Sequence, residues 1–79
     1  MTTERPDHEI TLDTSGLEAP EPLERVLEAL ATLEPHQRLR MLIDREPRPL
    51  YGILDQNNFS YETITTADYR YEIHIWHKH

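Results

Sequence analysis

The run Arg45-Glu46-Pro47-Arg48-Pro49-Leu50-Tyr51 places two guanidinium groups, a carboxylate and a phenol side by side. Set where a strand gives way to a helix, such groups can hold an anion or a partner's carboxylate. Arginine forks match the oxygens of carboxylates and phosphates, and backbone amides at a helix start point outward. The run also has a purely structural reading, in which the prolines fix a turn and Glu46 or Asp44 pairs with an arginine. A second candidate is acidic. Glu18, Glu21 and Glu24 crowd the start of an expected helix. Carboxylates there offset the positive helix end and leave little call for a bound phosphate. From its residues, that edge reads as dipole compensation and solubilising surface.

Three further groups bear chemistry. Asp13 and Asp44 end successive expected strands. A carboxylate pair at strand carboxyl ends can do acid–base work, although aspartate equally serves caps and turns. His74, His77 and His79 lie near the C-terminus, far in sequence from His8 and His36. On a strand, His77 and His79 share a face while His74 and His77 do not, and zinc needs three or four converging ligands. No metal site is assigned, and the histidine segment reads as a solvated, frayed tail. Arg38, Arg40, His74 and Trp76 form an aromatic and basic set that can stack a base or take a partner strand. The alternatives are that Trp76 covers a sheet edge or that the face joins copies of the chain. No Ser-His-Asp spacing and no glycine-rich phosphate loop stands out among only two glycines. Neither a catalytic residue nor a cofactor is assigned.

Composition narrows the classes. The 79 residues give room for one domain, and 37% hydrophobic residues suffice for a small core. Fifteen acidic against eight basic side chains give a net charge of −7, which argues against nucleic acid as the main ligand. The absence of cysteine excludes disulfides and thiol chemistry, and agrees with a cytoplasmic location. No apolar run is long enough for a bilayer, so no membrane is expected. The opening Met-Thr-Thr-Glu-Arg-Pro-Asp-His lacks the basic-then-apolar order of a signal peptide.

The elements that must position these groups follow from periodicity. Residues 1–8 read as a flexible tail and residues 9–77 as one domain. Glu9 to Asp13 alternates as a short strand, broken by Thr14-Ser15-Gly16. Pro20 and Pro22 suit a first helical turn, and Leu23, Val26, Leu27, Leu30 and Leu33 follow on one face until Glu34-Pro35 ends the helix. Arg38 to Asp44 is a strand with Leu39, Met41 and Ile43 on one side. A helix opens in Arg45–Pro49 and runs to about Asn57, its apolar face being Leu50, Tyr51, Ile53 and Leu54. Asn57-Asn58 stops it. Phe59 to Thr65 and Tyr69 to Trp76 form an antiparallel hairpin. The order β-α-β-α-β-β predicts an α/β (α+β) two-layer sandwich, two helices on one face of a four-stranded mixed sheet. The opposite face carries Arg38, Arg40, Glu72, His74 and Trp76, partly open to solvent.

The segment Leu12-Asp13-Thr14-Ser15-Gly16-Leu17-Glu18-Ala19-Pro20-Glu21-Pro22-Leu23 resembles the opening of the TusA/SirA sulfur-carrier proteins. These place Gly-Leu-x-Cys-Pro-x-Pro at the start of their first helix and pass persulfide sulfur between partners through that cysteine. Ala19 occupies the carrier position here. Sulfur relay needs a thiolate, so this chain cannot perform it. Taken with Asp44-Arg45-Glu46-Pro47-Arg48-Pro49-Leu50-Tyr51, the pattern is most similar to the cysteine-less TusA-like family known as domain of unknown function 2249. The resemblance implies the fold, a bacterial or archaeal intracellular setting and partner docking around the first helix start. It also implies a likeness to the RNA-binding C-terminal domain of a translation initiation factor. The reading that results is a non-enzymatic module binding another protein or domain through Glu18, Glu21, Arg45, Glu46, Arg48 and Tyr51. The alternative is a binder of a small anion or metabolite at the Arg45–Tyr51 turn. Oligomeric state is not read from the sequence.

Overall fold

The computed structural model describes residues 9–68 and 70–78. Its elements are β1(Glu9–Asp13), α1(Glu21–Ala31), β2(Arg38–Ile43), α2(Arg48–Gln56), β3(Phe59–Thr65) and β4(Tyr71–His77). The sheet order is β1-β2-β4-β3, with β1 and β2 parallel and the other pairings antiparallel. The helical crossover between β1 and β2 is what makes their parallel pairing possible. Both helices cover one face, α1 over β1 and β2, α2 against β3. The expected β-α-β-α-β-β two-layer sandwich is the observed fold.

The core lies between these layers. Leu39 and Met41 of β2 and Ile73 and Ile75 of β4 are wholly buried, as befits the two inner strands. Val26, Leu30, Leu50 and Leu54 close over them from the helices, and Leu33 and Phe59 complete the ends. Leu27 departs from expectation at 38% exposed. It lies about 100° round the helix from Val26, outside the Val26–Leu30 stripe that meets the sheet.

Several boundaries differ from the sequence reading, among them the end of α1 at Ala31, short of Leu33, and the end of β2 at Ile43, one residue before Asp44. Helix α2 begins at Arg48, because Pro47 is its cap residue and Pro49 fills the second helical position. Arg45 and Glu46 thus belong to a turn. Strand β4 begins at Tyr71 and includes His77; Tyr69 lies outside the described residues, as do the 1–8 segment and His79. His77 is no frayed tail residue, since its Nε2 lies 2.8 Å from the Leu33 carbonyl and its ring packs on Phe59. Asn58 adopts φ 68°, the left-handed stop expected of Asn57-Asn58.

Candidate functional site

Strands β1 and β2 run in parallel, so both deliver the chain to the same end of the sheet, where α1 and α2 begin. The turn after β1 is held firmly. Asp13 Oδ1 accepts the Ser15 amide at 2.9 Å, an interaction that lowers the Asp13 pKa, the backbone hydrogen bond being the main cause. Thr14 is buried and donates both its amide, at 2.8 Å, and its hydroxyl, at 2.6 Å, to the Leu42 carbonyl. Gly16 takes φ 82°, a left-handed conformation that side chains resist. Its amide then donates to Asp44 Oδ2 at 2.7 Å. Asp44 Oδ1 faces Arg70 Nε at 3.5 Å without hydrogen-bond geometry. Asp44 thus ties the two turns together, while Asp13 closes its own. A carboxylate shifted downward, as Asp13 is, suits that task and not general-base chemistry near neutral pH.

The turn after β2 is organised by Glu46. Its Oε1 meets Arg48 Nε at 3.3 Å, and its Oε2 accepts the Tyr51 hydroxyl at 3.1 Å. With its proton given to Glu46, the Tyr51 oxygen accepts from Thr63 Oγ1 at 2.8 Å. The Tyr51 ring stacks on Tyr61, centroids 4.8 Å apart. Burial is the first cause of an upward shift in the Tyr51 pKa. Tyr51 therefore locks α2 to β3.

Between the two turns lies an open groove of about 800 Å³. Leu17, Pro20 and Leu23 line it from the α1 side; Ile43, Pro47 and Leu50 line it from the β2–α2 side. Glu18 and Ala19 stand on the first wall, and Asp44, Arg45 and Glu46 on the second. The structure thus brings Glu18, Arg45 and Glu46 to one cleft. Glu21, Arg48 and Tyr51 are not part of its lining. Glu21 pairs with Arg25 at 3.1 Å along α1, while Arg48 and Tyr51 are engaged as above. The apolar lining was invisible to sequence reasoning that followed charges. Its signal was the paired prolines and Gly16, which mark the two helix starts.

The helix starts offer few free backbone donors. The Arg48 amide donates to the Glu46 carbonyl at 3.0 Å and the Leu50 amide to the Pro47 carbonyl at 2.9 Å, while Pro49 has none. In α1 the Glu21 amide donates to the Glu18 carbonyl at 2.9 Å, and Pro22 lacks an amide. The usual anion-binding feature of a helix N-terminus is therefore largely consumed.

The open sheet face carries the expected side chains. Glu72 accepts from Arg40 at 2.9 Å and lies 3.0 Å from His74 Nε2. These contacts, Arg40 first, hold its carboxyl below the ordinary range. Arg38 lies 4.3 Å from the Trp76 ring centroid. Trp76 does not cover a sheet edge: β4 is an inner strand, and the ring lies under Arg38 in mid-face. Among the described residues no three His, Asp or Glu side chains converge to hold a metal ion. Among the described residues no helix is long and apolar enough to cross a membrane.

Comparison with known proteins follows this geometry closely. A family model described as "Uncharacterized conserved protein (DUF2249)" matches residues 11–77. The chain belongs to this family. The crystal structure of the SirA-like protein from Desulfitobacterium hafniense aligns with a TM-score of 0.77 at 23% identity, covering 89% of this chain and 99% of that one. At that identity the likeness establishes a shared fold. No curated protein matches the sequence. The DUF2249 assignment and the SirA-like fold agree with both motif resemblances, and in this DUF2249 chain the groove wall holds Ala19 and no thiol exists anywhere.

Proposed function

We propose that this DUF2249 protein is a non-enzymatic binding module that docks a segment of another protein in the groove between the α1 start and the β2–α2 turn. One observation carries the reading: the two motif-bearing segments line the same apolar cleft. A cleft with leucine, isoleucine and proline on its walls and charges at its rim has the make-up of a peptide-docking surface. The consumed amides favour this over capture of a small anion or metabolite, which would rest on Arg45 and Arg48 alone. Arg48 is already paired with Glu46. The setting that accompanies the proposal is the bacterial cytoplasm, suggested by the family likeness.

The test is site-specific crosslinking in cells. A photoreactive residue replaces Ala19 in the groove or Gln56 at the far end of α2, both exposed. A discrete protein adduct at position 19, absent at position 56 and lost with Arg45→Ala/Arg48→Ala, is the expected result. The same adducts at both positions, or none at position 19, would reject the docking surface.

A further inference from the structure

Resting on that reading, we infer that the groove is electrically polarised and takes a segment with an apolar anchor between one basic and one acidic side chain, in a fixed order. The argument begins with which charges are already spent. Asp44 holds the Gly16 amide and faces Arg70, and Glu46 holds Arg48 and Tyr51. On the outer flanks, Glu21 is neutralised by Arg25. Two lining side chains remain that make no hydrogen bond or ion pair with the described residues: Glu18 on the α1 wall and Arg45 on the opposite wall.

The helices reinforce this asymmetry. The first turn of α1 carries Glu21 and Glu24, which cancel its positive end. The first turn of α2 has no acidic residue to offset its positive end, and its Arg48 is paired with Glu46 of the preceding turn. Glu18 therefore leaves one wall negative and Arg45 leaves the other positive, with apolar side chains on both.

A docked segment excludes water from Glu18 and Arg45, so each favours an opposite charge beside it. A segment in the matching orientation places Lys or Arg against Glu18 and Asp or Glu against Arg45. The reversed order sets like charges together, which acts as negative selection. The apolar anchor supplies affinity from Leu17, Pro20, Leu23 and Pro47, and the two charges supply direction.

The experiment uses a phage-displayed library of random linear peptides selected on the intact protein. Amide shift changes map each peptide, and affinities are measured for each peptide and its charge-swapped partner. Groove-mapped peptides are expected to share an apolar anchor with one base and one acid in constant order. Swapping the charges weakens binding to the wild type about tenfold. With Glu18→Lys/Arg45→Glu, two exposed positions, the preference inverts. Groove-mapped peptides that bind equally in either order overturn the polarity while leaving the docking surface intact. Peptides that map only outside residues 16–23 and 43–50 overturn both.

Discussion

The Gly16 amide donates to Asp44 Oδ2 at 2.7 Å, joining two turns that are 28 residues apart in the chain. This bond sets the spacing between the groove walls, because Gly16 leads into α1 and Asp44 leads into α2. Asp44→Ala removes the acceptor and is expected to cost about 1–2 kcal/mol, the range for a partly exposed charged hydrogen bond. Asp44→Asn retains an acceptor oxygen and is expected to lose less than half of that. Urea unfolding with unchanged m-values is the measurement. Equal loss in both variants would mean that charge, rather than the amide bond, sets the contribution.

Tyr51 was a binding candidate in the sequence, and the structure gives it the work of a fastener. Its hydroxyl joins Glu46 to Thr63, and its ring covers Tyr61. Tyr51→Phe keeps the stacking and loses both hydrogen bonds, at an expected cost of about 1 kcal/mol. Because the native pKa is raised, the wild-type hydroxyl contribution is complete below the ordinary value of 10.0 and is lost as pH rises through the native value. Stability curves of the two proteins should therefore converge in strong alkali. Parallel curves would contradict the burial of this phenol.

Acid sensitivity is expected to trace to Glu72. Its pKa lies below the ordinary 4.5, so its contribution is full above that value and disappears as pH falls through the lowered native one. Glu72→Gln removes this dependence. Thermal melts between about pH 6 and pH 2 should show a flatter acid limb for the variant. An unchanged limb would shift the origin to Asp13 and Asp68, whose carboxyls are also held low.

Trp76, the single tryptophan, reports directly on the open sheet face. Arg38→Ala uncovers its ring, so emission should move to longer wavelength. The loss of the cation–π contact costs about 0.5–1 kcal/mol at so exposed a site. An unshifted spectrum would show that Arg38 leaves the ring in solution.

The element order was legible because period-2 and period-3.6 patterns alternate cleanly along the chain, and prolines and Asn58 mark the breaks. Long-range neighbours were less accessible. Nothing local states that β4 lies between β2 and β3, so the sequence leaves open a sheet-edge role for Trp76, which lies in mid-sheet. The α2 start was read early because a charged, proline-rich run has no hydrophobic period to mark its first turn. Charge also drew attention to Arg48 and Glu21, whose neighbours in the helix and turn already satisfy them. The apolar lining of the groove comes from residues 16–23 and 43–50, brought together only by the parallel pairing of β1 and β2.

Neither helix is capped by a side chain; each begins with prolines instead. Pyrrolidine rings have no proton to lose and few torsions to freeze. The rings at the mouth keep their own shape whatever the acidity, and a visitor would meet them already ordered, at little entropic cost. Variation in the groove's grip with salt would then report the charge pairs a visitor makes with Glu18 and Arg45.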